Sequence, residues 1–337
     1  MAELGPAELV LTAAVARRHY LHHQSKVEIA EDLGISRFKV ARLLEAAREM
    51  GLVRIEIVRR GTLDLDASAR LQEEFGLRHA VVVDVHDRDA AAMRHQLGEA
   101  AAHLLQEVVT ARDVIGLPWS RNVHAVVGAL ESLPPVEVVQ LTGAIVLPDF
   151  DSSAVDIVRR ASRLADGTSR VFYAPFVLDD AASAEALRRQ PPVAEGLARA
   201  SSVTVAVVGI GAWAPGESTI HDLLGSEERE QLAEAGVVGE LAGVFFDGEG
   251  RVCRPPVAER LITLTEDALR AIPEVIAVVS GPAKAGAVHA ALKGGLAQSL
   301  VVDSELAHAL LGSSEQPPHR QSEQQPHRQS QQPPRPA

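Results

Sequence analysis

The chain contains 337 residues, 46 % of them hydrophobic, and carries a formal net charge of −12 at pH 7. This length suits two domains and a tail, and the apolar fraction is large enough for a sizeable core. The one cysteine, Cys253, excludes a disulfide framework and a cysteine-based zinc site, so we expect a reducing, cytoplasmic setting. We expect no membrane partner, because the sequence shows neither a signal peptide nor an apolar run that could span a bilayer.

The charge is distributed unevenly along the chain. Residues 1–60 contain ten Lys and Arg against eight Asp and Glu, whereas the remaining residues contain 23 against 37. An acidic body argues against binding nucleic acid along the whole length of the chain. The asymmetry favours an N-terminal DNA-binding domain, residues 1–60, followed by a body with a different role.

Residues 24–53 have the pattern of a helix-turn-helix, preceded by a first helix that is predicted from about residue 9 to residue 20. Ser25 is placed to cap one helix, Gly34 to end it in the left-handed conformation, and Ser36 to cap the next. Each helix has apolar residues on one side. These are Val27, Ile29, Ala30 and Leu33 in the first of the pair, and Val40, Leu43, Leu44 and Ala47 in the second.

The other face of the second helix suits the major groove of DNA, because recognition helices present their N-terminal residues to base edges. Arg42 is predicted to pair with a guanine edge and Phe38 to touch a thymine methyl group. Nearby cations are better placed for phosphates. The predicted DNA-binding set is Lys26, Ser36, Arg37, Phe38, Lys39 and Arg42. Two amphipathic helices joined by a glycine turn also occur in proteins that never bind DNA, so that alternative stays open.

Residues 52–58 alternate apolar and charged side chains, which predicts a short strand. It is interpreted as a wing of the helix-turn-helix domain or as a bridge to the next domain. The predicted fold of the N-terminal part is therefore an all-α, winged helix-turn-helix domain.

The body, residues 61–312, alternates short valine-rich runs with helical stretches. Such runs are typical of strands that are buried on both faces, and the alternation predicts a larger α/β domain with a mainly parallel sheet. The predicted strands are 79–85, 114–117, 136–141, 170–173, 203–208, 244–246, 275–279 and 300–302. Helices are predicted between most of them, among them 93–109, 153–165, 226–235, 265–271 and 283–293.

Glycine or polar loops follow several of these strands, and ligands of parallel sheets bind beyond the carboxyl ends of strands. The loops are 116–122, 141–144, 209–211 and 280–284. Ser120, Arg121 and the loop amides are candidates for binding an anion, and Lys284 for reaching a phosphate. One such loop often serves only to turn the chain, but four of them favour a binding cleft.

Other chemistries find no support in the sequence. Gly209 and Gly211 lack the third glycine of a dinucleotide fingerprint, and there is neither a phosphate-loop motif nor a Gly-x-Ser-x-Gly elbow. We therefore expect no cofactor, no metal and no catalytic residues. The Gln- and Pro-rich tail, residues 313–337, has almost nothing apolar to bury and is predicted to be disordered.

Residues 8–311 resemble the SorC family of bacterial sugar-responsive transcriptional regulators. The resemblance rests on short motifs spread along the chain: Glu28-Ile29-Ala30, Leu33-Gly34-Ile35-Ser36-Arg37, Val40, Arg42-Leu43-Leu44, Ala47-Arg48, Gly51-Leu52-Val53, Trp119, Gln140-Leu141-Thr142-Gly143, Val208-Gly209-Ile210-Gly211, Gly236-Val237-Val238-Gly239-Glu240, Phe245-Phe246-Asp247, Gly281, Lys284 and Asp303-Ser304-Glu305.

The resemblance implies a body with the sugar-phosphate isomerase and deaminase fold that binds a small carbohydrate, expected to be a sugar phosphate. It also implies operator DNA as a partner and a homodimer or homotetramer. The residues carried over to the effector site are Trp119, Ser120, Arg121, Asn122, Gly143, Gly209, Gly211, Asp247, Gly281 and Lys284. Ser120 and Asn122 stand where the family usually has glycine and threonine, so we expect the ligand to be placed differently there or not to be a phosphorylated sugar.

The sequence is thus interpreted as a DNA-binding transcriptional regulator that is not an enzyme and whose operator binding is controlled by a small carbohydrate. One rival is a sugar-phosphate isomerase or deaminase whose N-terminal helices serve oligomerisation, since the fold of the body does not exclude catalysis. A second rival is an interaction module without a ligand.

Overall fold

The computed structural model describes residues 5–53, 62–85, 89–145, 147 and 152–314. The chain divides into two compact units, residues 1–58 and 59–337. Each unit is described separately below.

The N-terminal unit consists of three helices in its described part. They are α1 (Pro6–Tyr20), α2 (Lys26–Leu33) and α3 (Arg37–Glu49). Ser25 and Glu28 form a capping box at the start of α2, and Gly34 ends that helix with φ +61°. The Ser36 side chain accepts a hydrogen bond from the Lys39 amide at the start of α3. The caps and the turn predicted from the sequence are therefore confirmed.

A small core holds the three helices together. Its fully enclosed members are Val15, Ile29, Val40, Leu43, Leu44 and Ala47, with Ala16 beside them. The prediction for Val27 is wrong, because this side chain is 47 % exposed on the outer surface of α2. Two polar contacts join the helices at the rim. Arg18 pairs with Asp32 at 2.7 Å, and Arg48 Nε donates to the Tyr20 hydroxyl at 2.7 Å.

The larger unit is an α/β structure. Its strands are β1 (His79–Val83), β2 (Val114–Leu117), β3 (Glu137–Gln140), β4 (Thr168–Arg170), β5 (Val205–Val208), β6 (Gly211–Ala212), β7 (Val237–Leu241), β8 (Val244–Asp247), β9 (Val252–Cys253), β10 (Glu274–Val279) and β11 (Ser299–Asp303). Its helices are α4 (Leu65–Phe75), α5 (Ala90–Val108), α6 (Arg121–Ala129), α7 (Ala154–Leu164), α8 (Ala181–Arg188), α9 (Pro191–Ala198), α10 (Thr219–Leu223), α11 (Ser226–Glu234), α12 (Glu266–Ala271), α13 (Ala285–Lys293) and α14 (Ser304–Ser314).

The main sheet has the order β1-β11-β10-β5-β2-β3-β4, and its neighbouring strands pair in parallel. Valine-rich strands alternate their side chains between two apolar layers. In β5, for example, Val207 faces one layer and Val208 the other. All six residues of β10 are buried, as expected of a strand covered on both faces. The predicted α/β fold with a mainly parallel sheet is confirmed.

The order of strands reverses between β2 and β5. From β2 the chain proceeds through β3 to β4 at one edge, whereas from β5 it proceeds through β10 to β11 and thus toward β1 at the other. Loops that leave two such strands diverge, and a crevice opens between them at the carboxyl edge. The loops at residues 118–120 and 209–210 leave the sheet at this point.

A second sheet was not predicted from the sequence. It is antiparallel, with the order β6-β7-β8-β9, and it contains the run 244–246 that was assigned to the parallel sheet. An apolar strand is buried equally well in a parallel or an antiparallel sheet, so the sequence of this run does not show which strands pair with it. The strand predicted at 170–173 is also displaced, because β4 in the structure runs from Thr168 to Arg170.

Two predictions fall on residues outside the described ranges. Residues 54–58 of the expected wing strand are among them, and so are residues 315–337 of the expected disordered tail. Within the described part of the chain, no helix has the length and apolar character needed to cross a membrane.

Candidate functional sites

The first candidate site is the outer face of α3. All six residues of the predicted DNA-binding set are exposed. Phe38 is 84 % exposed although it is a large apolar side chain. It lies in the first turn of a helix whose opposite face, with Val40 and Leu44, is buried. Core packing therefore explains one face of α3 and leaves a cationic face with an aromatic residue open to solvent.

The second candidate site is a cavity of about 160 Å³ in the larger unit. It lies at the carboxyl edge of the main sheet, where the strand order reverses. Loops after β2, β5 and β10 line it together with the segment that follows β6. Six of its lining residues are Arg94, Trp119, Ser120, Glu217, Glu240 and Lys284. The cavity is therefore polar, with charges of both signs.

The loop after β2 places Trp119 and Ser120 at the cavity. The Trp119 amide donates to Thr142 Oγ1 at 2.9 Å, which ties this loop to the chain after β3. Ser120 is the N-cap of α6, and its Oγ accepts a hydrogen bond from the Asn122 amide at 3.2 Å. One amide at the start of α6 is thus satisfied by the protein itself. Asn122 Nδ2 donates to the Val278 carbonyl at 2.7 Å, so this side-chain amide is also engaged.

Two glycines keep the cavity open. A Cβ on Gly209 would lie 2.9 Å from Ser120 Oγ. A Cβ on Gly211 would overlap Glu240 Oε1 and lie 2.7 Å from the Ser218 Cβ. Each substitution would therefore force polar lining groups to move.

An ion pair crosses one side of the cavity. Lys284 Nζ lies 2.8 Å from Glu217 Oε2 and also donates to the Ser280 carbonyl at 3.1 Å. Lys284 was predicted to reach a phosphate. In this structure its charge is instead balanced by a carboxylate that the sequence did not single out.

Glu240 is a buried carboxyl group on β7. Burial raises its pKa above the ordinary value, against the opposing effect of hydrogen bonds from the Gly243 amide and the Ser218 hydroxyl. Those donors lie 3.3 Å from Oε2 and 3.1 Å from Oε1, respectively. A protonated carboxyl group can donate as well as accept a hydrogen bond, which suits the hydroxyl groups of a carbohydrate.

Most of the effector residues expected from the resemblance come together here. Those that line the cavity are Trp119, Ser120, Arg121, Asn122, Gly209, Gly211 and Lys284. Gly143, Asp247 and Gly281 are not among its lining residues. Gly143 packs against Pro175 and donates to the Ile262 carbonyl. Asp247 pairs with Arg251 in the turn after β8, and this contact lowers its pKa. The Gly281 amide donates to Asp303 at 2.7 Å.

Other lining residues were missed by sequence reasoning. They include Arg94, Glu217, Ser218 and Asp222. Thr142 and Glu240 also line the cavity, and both belong to motifs that carry the family resemblance, although neither was assigned to the effector site. Arg94 is the second residue of the helix predicted at 93–109, and an arginine on a helix ordinarily indicates only a solvated face. The segment 213–218 follows a strand of two residues, which is too short to show a periodic pattern. Only the folded chain brings these residues to the cavity.

A family model described as "Putative sugar-binding domain" matches residues 60–312. This range covers most of the chain and includes every cavity residue named above. The chain belongs to this sugar-binding domain family. The resemblance to SorC-type regulators that was stated from the motifs is confirmed.

Relatives of this sugar-binding domain protein are transcriptional regulators. The Transcriptional regulator LsrR of Klebsiella pneumoniae is 31 % identical over 320 residues, which cover 92 % of this chain and 95 % of that protein. The Deoxyribonucleoside regulator of Bacillus subtilis is 29 % identical over 311 residues, which cover 89 % and 97 %. The full-length sorbitol operon regulator SorC of Klebsiella pneumoniae superposes with a TM-score of 0.70 at 25 % identity, covering 90 % of this chain and 99 % of that one. The alternative of an enzyme finds no support among these relatives.

Proposed function

We propose that this protein is a DNA-binding transcriptional regulator whose operator binding is controlled by a small carbohydrate held in the cavity of the larger unit. The observation that carries the proposal is the exposed face of α3, where Phe38 lies among Arg37, Lys39 and Arg42 on a capped helix. Operator recognition explains why an apolar ring and three cations share this surface.

The chemistry of the cavity supports a carbohydrate as effector. The cavity is lined by the hydroxyl group of Ser218, the carboxyl group of Glu240, the guanidinium group of Arg94 and the aromatic ring of Trp119, among others. We therefore assign it a single small sugar, expected to be a sugar phosphate, with no catalytic step.

We further propose that the protein acts in the cytoplasm as a homodimer or homotetramer. Two recognition helices of a dimer would enter successive major grooves about 34–36 Å apart. The effector controls operator binding by binding the DNA-competent and DNA-incompetent states with different affinity. The relatives that regulate transcription support operator DNA as a partner.

Fluorescence anisotropy tests the proposal directly. The full chain is titrated onto DNA taken from upstream of its own gene and onto scrambled DNA at fixed salt, with and without a panel of sugars and sugar phosphates. We expect specific binding that at least one compound shifts about tenfold or more, which corresponds to about 1.4 kcal/mol of coupling. Equal binding to both DNAs would contradict the DNA-binding half of the proposal. Specific binding that ignores every compound would contradict the carbohydrate half.

A further inference from the structure

Arg94 is a cation of the cavity that neither the sequence motifs nor the family resemblance singled out. It lies in the second turn of α5, is half-buried, and lines the cavity. It makes no hydrogen bond or ion pair with any described residue. A half-buried guanidinium group gives up part of its hydration, and without a partner it is poised to bind an anion.

Helix packing holds Arg94 at this place. Gly98, one turn later on the same face of α5, lets the helix approach α6 closely, because a Cβ there would lie 2.8 Å from the Ala125 backbone. Arg121 stands one turn before Ala125 on α6, just as Arg94 stands one turn before Gly98. Both arginines line the cavity. The close contact between the two helices therefore fixes the backbone from which Arg94 reaches the cavity.

The other anion-binding groups of the cavity are already engaged. Lys284 pairs with Glu217 and also donates to the Ser280 carbonyl. The Asn122 amide at the start of α6 donates to Ser120 Oγ, and Asn122 Nδ2 donates to the Val278 carbonyl. Arg121 also has an interaction partner. An incoming anion would share each of these groups with a partner that is already bound, whereas Arg94 offers all of its donors without such competition.

We propose that Arg94 is the residue that selects an acidic effector, binding its phosphate or carboxylate group through two parallel N–H···O bonds. The neutral hydroxyl groups of the same effector lie against Ser218 and Glu240. This inference rests on the proposed function and names the chemical class of its effector as a sugar phosphate or a sugar acid. A guanidinium group can donate two parallel hydrogen bonds to two oxygens of either a phosphate or a carboxylate.

The experiment compares each acidic compound with its neutral parent sugar. The probes are ribose 5-phosphate with ribose, glucose 6-phosphate and gluconate with glucose, and inorganic phosphate alone. The chain has two tryptophans, Trp119 in the cavity lining and Trp213 packed against His221, so intrinsic fluorescence reports binding. The variants are Arg94→Gln and Arg94→Lys. Arg112→Gln, an exposed arginine before β2 at the opposite edge of the sheet, serves as the charge-matched control.

We expect the wild-type protein and the Arg112→Gln control to bind an acidic compound more tightly than its parent sugar. Arg94→Gln should weaken binding of the acidic compound about tenfold or more, while binding of the parent sugar is unchanged. Arg94→Lys should keep part of the preference for the acidic compound that Arg94→Gln loses. Lysine retains the positive charge but cannot donate two parallel hydrogen bonds. A circular dichroism spectrum and unfolding midpoint like those of the wild type establish that each variant is folded.

Two results would overturn the assignment, and they are distinguishable. If Arg94→Gln keeps the wild-type preference for the acidic compound, the anion is bound elsewhere, and the proposed regulatory function stands without Arg94. If the wild-type protein prefers no acidic compound over its parent sugar, the acidic class itself is wrong. In that second case, operator release by a neutral sugar in the anisotropy assay would still preserve the regulator, and its absence would overturn both proposals.

Discussion

Lys284 Nζ lies 2.8 Å from Glu217 Oε2, and both side chains line the cavity. Lys284 is only 17 % exposed, so its charge is balanced mainly by this carboxylate. The ion pair joins the helix after β10 to the segment that follows β6. It also places a carboxylate in the lining of the cavity.

Glu217→Gln is therefore expected to tighten binding of an acidic effector. The substitution removes a competing carboxylate and frees Lys284 to interact with the ligand, which should raise affinity by several-fold to about tenfold. Affinity for the neutral parent sugar should change little. The measurement is a tryptophan-fluorescence titration with Glu227→Gln, an exposed carboxylate in the first turn of α11, as the matched control. An equal gain in affinity for acidic and neutral sugars would contradict this expectation. It would show that the ion pair limits the access of any ligand to the cavity and does not act through its negative charge.

Arg42→Ala and Lys39→Ala should weaken operator binding in different ways. Loss of a bidentate contact from Arg42 to a base should cost about 1–3 kcal/mol and relax specificity at one base pair. Loss of a phosphate contact from Lys39 should weaken binding to all sequences and reduce the salt slope by about one. Anisotropy titrations at several salt concentrations check both.

Arg17→Ala is the control for these variants, since it removes an exposed cation from α1 in the same unit. It should leave specificity unchanged. Wild-type operator binding by both α3 variants would show that α3 is not the recognition helix.

Gly211→Ala should disable the response to effector while operator binding persists. The added methyl group meets Glu240 Oε1 and the Ser218 Cβ, so these lining groups must move into the cavity or out of their hydrogen bond. Overpacking of this kind costs about 1–3 kcal/mol of stability. Gly286→Ala is the matched control, because a Cβ there meets nothing within 4 Å. Effector titrations and thermal unfolding of both variants would test the expectation, and a wild-type effector response in Gly211→Ala would contradict it.

Glu240 should make the stability of the larger unit depend on pH. Burial raises the pKa of this carboxyl in the folded state above its ordinary value of 4.5. As pH rises above that value, the unfolded chain loses the proton while the folded chain retains it. The free energy of unfolding contributed by this group is therefore highest at low pH and falls as pH rises, by at most about 1.4 kcal/mol per pH unit.

Glu240→Gln should remove this dependence, because the amide cannot ionise. The stability of the variant relative to the wild type should increase from pH 4.5 to pH 7.5 in urea unfolding. Glu230→Gln, which alters an exposed carboxylate on α11, should show no such trend. Curves for wild type and Glu240→Gln that run parallel over this range would contradict the expectation.

Local chemistry was sufficient to predict the N-terminal helices and the buried strands. Ser25, Gly34 and Ser36 cap or end helices through contacts with residues only three or four positions away, so their roles are visible in the sequence. Valine-rich runs such as the one in β10 are recognisable because a strand that is buried on both faces is apolar at almost every position, without the alternation of apolar and polar residues. The charge asymmetry and the motifs around Trp119 and Gly209 likewise required no coordinates.

The cavity depended on contacts between distant parts of the chain. Arg94 and Lys284 are 190 positions apart, and Glu240 lies on a second, antiparallel sheet whose short strands have no clear period. Hydrogen bonds that engage Ser120 and Asn122, and the ion pair that engages Lys284, exist only after the strands have been ordered. Sequence alone thus identified Ser120, Arg121 and Lys284 as groups that could bind an anion, but it did not identify Arg94. The tertiary structure decided which of them already have partners, because pairing depends on distances in the folded chain that no local pattern encodes.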